Sequence, residues 1–183
     1  PRVVVAGGGD GTLNAVASAL VGTDIALGIL PLGTLNHFAK DLRIPLDLDA
    51  AVRTVLAGQV ATVDVGEVNG RLFLNNSSLG LYPHLVRQRD QLQERLGHGK
   101  WPAFAWAALT VLRRRAFVSV RLSADDREFA RRTPFVFVGN NEYEMTSLNI
   151  GGRHCLDAGR LSLYTTHRTG RLGLAWLGLR ALV

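Results

Sequence analysis

Asp10 stands in a run of small residues, Gly7-Gly8-Gly9-Asp10-Gly11-Thr12-Leu13-Asn14, between the apolar stretch Arg2 to Ala6 and a helical pattern. Consecutive glycines let a backbone take positive φ and approach a ligand closely. A helix that begins there offers unpaired N–H groups and the positive end of its dipole. A buried strand, a glycine turn and a helix in that order predict a phosphate cradle. The run has neither the lysine of a P-loop nor the spacing of a dinucleotide fingerprint. A carboxylate beside a phosphate is repulsive unless a cation or a hydroxyl donor stands between them. Asp10 is therefore expected to hold Mg²⁺, directly or through water, or to orient a hydroxyl. The competing structural reading makes Asp10 a helix cap in a tight turn.

A second loop follows the next apolar strand: Pro31-Leu32-Gly33-Thr34-Leu35-Asn36-His37-Phe38-Ala39-Lys40. In an open α/β sheet, loops at the carboxyl ends of adjacent strands face one crevice. The two loops are expected to converge, with Thr34 and Asn36 bringing uncharged polar atoms. For Asn36 the structural alternative is again a helix cap.

The elements that must position these loops read as follows. Arg2 to Ala6 and Ile25 to Leu30 are strands. A helix runs from Thr12, with Leu13, Val16, Ala17 and Leu20 at helical spacing and Gly22 just past its end. A short helix spans roughly Asn36 to Leu42 and is broken by Pro45. Asp47 caps a third helix whose Ala51, Val52, Val55 and Leu56 share a face, and Gly58 stops it. The alternation predicts an α/β domain with parallel strands. Beyond it, Ala61 to Val68 and Arg71 to Leu79 read as strands joined by an Asn69-Gly70 hairpin turn. Phe117 to Leu122, Pro134 to Val138 and Leu161 to Tyr164 are further strands, and Asp125-Asp126 is a turn. The fold expected is a partial Rossmann-like α/β domain over residues 1–60, followed by a mostly antiparallel β-sandwich over residues 61–183.

Gly8-Gly9-Asp10-Gly11-Thr12, followed about twenty residues later by Pro31-Leu32-Gly33-Thr34-Leu35-Asn36-His37-Phe38-Ala39-Lys40, resembles the diacylglycerol kinase catalytic domain family, which includes bacterial lipid kinases and sphingosine kinases. The first element is shared with NAD kinases; the pair is more specific to lipid kinases. Val63-Asp64-Val65-Gly66, Ser78-Leu79-Gly80 and Leu156-Asp157-Ala158-Gly159-Arg160-Leu161 fall in the expected order. The resemblance implies ATP-dependent phosphorylation of a lipid hydroxyl, of diacylglycerol or a similar long-chain alcohol. It implies ATP contacts at Gly8, Gly9, Asp10, Gly11, Thr12, Leu13, Asn14, Gly33, Thr34 and Asn36, with Asp10 the catalytic residue beside the ATP-bound Mg²⁺.

The chain departs from the family pattern in places. It has no initiator Met and opens on a strand, so a fragment boundary is expected, with the family's first strand and nucleotide loop before position 1. The family's Asp-Gly-Glu segment, which supplies the general base Glu, is expected beyond Val183. Relatives often carry Asp-Asp-Gly at Asp157-Ala158-Gly159, and a structural Mg²⁺ there would rest on Asp157. His37 stands where many relatives have Asp, and reads as a surface or core histidine.

Other features have plainer readings. Trp101, Phe104, Trp106 and Leu109 form an apolar helix before Arg113-Arg114-Arg115. It reads as a core helix rather than a membrane contact, because apolar residues encircle it. Leu172 to Val183, with Trp176 and Arg180, reads as a helix. Asn140-Asn141-Glu142 either lines a lipid cleft or makes a turn. Cys155 reads as a small buried hydrophobe; as the single cysteine it fits a reducing cytoplasm.

Composition bounds the partners. Of 183 residues, 47% are hydrophobic and 20% charged, enough for a packed core. No run reaches the roughly 20 apolar residues of a membrane-spanning helix. Residues 1–63 carry four Lys/Arg and five Asp/Glu, a balance of −1; residues 64–183 carry seventeen and ten, a balance of +7. The basic half predicts an anionic partner surface, membrane or nucleic acid, which charge alone does not separate; with the lipid-kinase resemblance, the expectation is a cytoplasmic protein in peripheral contact with an anionic membrane surface. No RNA-binding aromatic motif supports nucleic acid. A homodimer is one assembly the chain allows. The rival readings are a soluble-substrate kinase of the NAD kinase type and a catalytically inactive lipid-binding module.

Overall fold

The computed structural model describes residues 2–80, 117–125, 127–146 and 149–165. Strand β1 (Val3–Gly8), helix α1 (Asp10–Leu20) and strand β2 (Ala26–Pro31) come first. The two strands are parallel, in a register running from Val3 opposite Ala26 to Gly8 opposite Pro31. Both therefore end at the same edge. Short helix α2 (His37–Asp41) and helix α3 (Leu48–Ala57) follow.

The core of this part lies between β1, β2 and α1. Leu13 and Ala17 sit one helical turn apart and meet Ala6, Ile29, Phe38 and Ala39. Leu13 is 0% exposed, a burial worth about 1.5–3 kcal/mol. Leu74, from a later strand connection, completes the cluster. The opposite face of β1 is open: Val3 is 46% and Val5 51% exposed. The expectation of a buried first strand is thus met on one face only.

Local signals at α3 work as read. The Asp47 carboxylate accepts from the Ala50 N–H at 3.0 Å, and Gly58 ends the helix at φ 67°. Helix α1 begins at Asp10, two residues earlier than the apolar spacing indicates.

Strands β3 (Gly66–Val68) and β4 (Arg71–Phe73) form an antiparallel hairpin. Its turn residues Asn69 and Gly70 have φ of 50° and 75°, the sign a two-residue type I′ turn requires. The single strand expected over 71–79 is broken: Leu74 turns into the core and the chain resumes as β5 (Asn76–Gly80). Ahead of the hairpin, residues 61–65 are not strand.

Strands β6 (Val118–Ala124) and β7 (Arg127–Thr133) form a second hairpin, β8 (Phe135–Asn140) follows, and β9 (Met145–Thr146) pairs with β10 (Asn149–Ile150). Strand β11 (Leu161–Thr165) joins a three-stranded sheet of order β11-β8-β5. The architecture is a mixed α/β fold. Strands β7, β9 and β10 were not evident in the sequence. The helices read over 101–112 and 172–183, and the residue Asp126, lie outside the described residues.

The chain divides into two compact units. The first takes Pro1–Ser77 and Val138–Ser162; the second takes the described residues within Ser78–Phe137 and Leu163–Val183. Among the described residues no helix is long and apolar enough to cross a membrane.

Candidate active site

The parallel register of β1 and β2 brings the two glycine loops to one edge of the first unit. There the backbones touch. A Cβ on Gly33 would lie 2.2 Å from Gly9 Cα, and one on Gly9 would lie 3.2 Å from Gly33 Cα. The expected convergence is met, but the glycines serve it differently. None of Gly7, Gly8, Gly9 and Gly11 has positive φ. Gly9 is extended, at φ −88° and ψ −176°. Gly9 and Gly33 are required by close packing of loop on loop. Gly8 leaves room for Thr12, whose Cβ would be 2.6 Å from an added Cβ.

Asp10 opens α1 and reaches across to the second loop. Its Oδ2 accepts from the His37 N–H at 3.1 Å and its Oδ1 from the Phe38 N–H at 2.8 Å. It thus caps the amino end of α2, not of its own helix. Asn75 Nδ2 donates to Oδ1 as well, at 3.2 Å. The first bond of α1 runs from Leu13 N–H to Gly9 O at 3.0 Å, and Gly9 supplies no side-chain cap. Helix geometry leaves the preceding N–H groups without intrahelical partners. Around Gly11 an added Cβ would meet nothing within 4 Å, so this end of α1 is open.

Asn36 is buried and left-handed at φ 51°. Its side chain makes no cap. Oδ1 accepts from Gly33 N–H at 2.9 Å, while Nδ2 donates to Pro31 O at 3.2 Å and Gly33 O at 2.7 Å. It holds the second loop in shape from within, while Thr34 and His37 are exposed. Asn14 turns to the β3–β4 hairpin: its amide donates to Leu72 O at 3.1 Å and accepts from Leu74 N–H at 2.9 Å.

The loop around Asp157 is closed by protein groups. Asp64 Oδ2 accepts from Gly159 N–H at 2.6 Å and from Asn141 Nδ2 at 3.0 Å, and Asn141 Oδ1 accepts from Ala158 N–H at 3.2 Å. Asp157 itself is exposed and takes a 3.1 Å bond from the Cys155 thiol. Cys155 is therefore exposed, against the buried reading, because its loop lies on the surface and offers the thiol a carboxylate. Among the described residues no group of three His, Cys, Asp or Glu side chains is placed to hold a metal. Asn140 and Asn141 are both buried and serve the turn: Asn140 Nδ2 donates to Asp64 O at 2.7 Å and Leu74 O at 2.9 Å.

Arg153 was not singled out by any motif. Its side chain is 0% exposed and pairs with Asp41 at 2.7 Å. Its Nη1 donates to Leu74 O at 2.8 Å and Asn140 O at 2.9 Å, and its Nη2 to Asn75 Oδ1 at 2.8 Å. The guanidinium also lies 5.3 Å from the centre of the Tyr143 ring. An Arg two residues after Gly151 looks like any surface arginine in the sequence. Only the pairing of segments 112 residues apart reveals it.

Comparison with known proteins bears on the same loops. The family model described as "Diacylglycerol kinase catalytic domain" matches residues 1–68. A probable lipid kinase YegS-like of Klebsiella pneumoniae (strain 342) is 43% identical over 100 residues, covering 52% of this chain and 34% of the relative. A probable lipid kinase YegS of Escherichia coli O17:K52:H18 is 49% identical over 100 residues, covering 51% and 33%. A solved structure described as a putative diacylglycerol kinase from Bacillus anthracis str. Sterne matches with a TM-score of 0.69 at 24% identity, over 98% of this chain and 60% of that one. At that identity the likeness concerns the fold. The chain spans about a third of the length of the curated relatives it matches. Residues 1–68, which carry both glycine loops, are thus the part of the chain that is similar to the diacylglycerol kinase catalytic domain family.

Proposed function

We propose that the full-length protein is a lipid kinase, moving the γ-phosphoryl group of ATP to the hydroxyl of diacylglycerol or a similar long-chain alcohol. The observation that carries this reading is the backbone contact of Gly9 with Gly33, which places Asp10 and the open amino end of α1 beside the second loop. Free N–H groups at a helix start favour an anion. In this reading Gly8 to Leu13, with Asn14 supporting them from the hairpin side, cradle the triphosphate, and Gly33, Thr34 and Asn36 form the opposite wall.

Asp10 Oδ2 has a single described donor, the His37 N–H, and so keeps a lone pair for a cation or its bound water. That donor set fits the ATP-borne Mg²⁺, which would neutralise charge on the transferring group when bound. The contribution of this chain is positioning and electrostatics. The bound α2 dipole and the Asn75 amide hold the carboxylate still while phosphate approaches.

We further read residues 1–60 as the nucleotide-binding, Rossmann-like part and residues 61–183 as the lipid-facing, β-sandwich part. The basic second half supports a cytoplasmic protein that meets anionic membranes peripherally, and a homodimer is compatible with it. Full-length protein given labelled ATP and a panel of diacylglycerol, long-chain alcohols and NAD is expected to label a lipid. Asp10→Asn is expected to lower turnover by about 10²-fold or more while the protein stays folded. Labelling of NAD would favour the soluble-substrate kinase. Vesicle binding with no labelling at all would favour the inactive module. Near-normal turnover of Asp10→Asn would remove Asp10 from the mechanism.

A further inference from the structure

The five N–H donors of Arg153 are all placed. Nε meets Asp41 Oδ2 at 2.7 Å; Nη1 meets Leu74 O and Asn140 O; Nη2 meets Asn75 Oδ1 at 2.8 Å and Asp41 Oδ2 at 2.7 Å. Two of these contacts lead to Asp10. An arginine only donates, so it accepts no neighbour but the oxygen end of the Asn75 amide. The nitrogen end is then turned the other way, where Asp10 Oδ1 lies at 3.2 Å. The orientation of an asparagine amide is ordinarily ambiguous. Here an obligate donor on one side and an ionised acceptor on the other fix it. The second route runs through α2: Arg153 holds Asp41 at its end, and the His37 and Phe38 N–H groups at its start donate to Asp10. The contacts close a ring, Asp10–Asn75–Arg153–Asp41–α2–Asp10, within the first compact unit.

We propose that Arg153 is a positioning residue that sets the Asp10 carboxylate, through the Asn75 amide and through α2, for phosphoryl transfer. The proposal rests on the reading of Asp10 given above. Arg153 does not touch the ligand in this scheme. It directs two donors onto Oδ1, those of Phe38 and Asn75, and leaves Oδ2 the freer oxygen.

The test is Asn75→Asp in the full-length protein. A carboxylate at 75 still accepts from Arg153, so the buried cation keeps its partner, but the donor to Asp10 is lost and a like charge faces it. In the resting protein, amide hydrogen exchange at His37 and Phe38 is expected to rise about tenfold or more, the loss of a hydrogen bond to a charged group. Exchange at Ala51 and Val55 in α3 should stay as in wild type, which certifies the fold. Turnover is expected to fall by about tenfold or more while KM for ATP and for lipid stays within about threefold. Arg153→Lys keeps the charge but cannot span Asp41 and Asn75 together; it should show the same pair of changes, and it decides the matter if Asn75→Asp does not fold. Unchanged exchange at His37 and Phe38 in both variants would overturn the proposal, as would raised exchange with wild-type turnover. If the wild-type protein labels no lipid, the kinase reading fails by itself, and the exchange data still decide whether Arg153 sets Asp10.

Discussion

A guanidinium with no exposed surface is an expensive group to keep, and Arg153 is kept because every donor has an acceptor. Two of those acceptors, Leu74 O and Asn140 O, are backbone carbonyls. Removing the side chain takes the guanidinium from Asp41 and the Nη1 donor from Asn140 O, while Leu74 O keeps the Asn140 amide. Arg153→Ala is therefore expected to destabilise the fold by about 3–5 kcal/mol, read from urea unfolding midpoints at constant slope. Arg153→Met, which fills the space, should recover little of that, because Asp41 still lacks its guanidinium and Asn140 O its Nη1 donor. Asp10 is the opposite case. It is only half-buried, and an Asn at position 10 keeps its Oδ1 for the Phe38 and Asn75 donors and gives up only the bond from the His37 N–H. This is why Asp10→Asn tests chemistry and Arg153→Ala tests the frame.

Among the elements, those with local causes behave locally. Asp47 caps α3 through one bond to Ala50, so Asp47→Ala should cost about 1 kcal/mol in a thermal or urea melt and leave turnover alone. The same locality made α3, its Gly58 stop and the Asn69-Gly70 turn readable in advance, since each depends on neighbours within a few residues. The two glycine loops were also legible, as types and spacing. What the glycines do was not. Their place against each other depends on strands that the sequence does not order, and the expected positive φ gave way to a backbone contact. Helix α2 shows the limit most directly. Its cap comes from Asp10, 27 residues upstream, and its own leading Asn36 faces inward. Strand β7 was missed because Arg127-Glu128-Phe129-Ala130-Arg131-Arg132-Thr133 has a single large apolar side chain and hence no period to read. It pairs with β6 from Thr133 opposite Val118 to Arg127 opposite Ala124, and the Arg132 guanidinium lies 5.6 Å from the centre of the Phe117 ring.

At the scale of the molecule, the first compact unit is assembled from Pro1–Ser77 and Val138–Ser162, with sixty residues of chain between the two pieces. The bonds that join them are the ones on which the candidate site leans: Asp41 to Arg153, Asp64 to Asn141 and Gly159, Leu74 to Asn140. During synthesis the glycine loops leave the ribosome long before the residues that fasten them. At about 5–20 residues per second that interval lasts several seconds. Through it the segment holding Asp10 carries a half-covered core and carboxylates awaiting partners. Residues 1–77 produced alone are accordingly expected to show no cooperative urea transition and to bind an apolar dye, whereas the full-length protein should unfold cooperatively and leave the dye unbound. A cooperative transition in that fragment would mean the late-arriving piece contributes little. The distance along the chain that hid Arg153 from sequence reasoning thus also sets the order of events at birth: the glycine loops come first, and the arginine that bonds to Asp41 and Asn75 comes well after them.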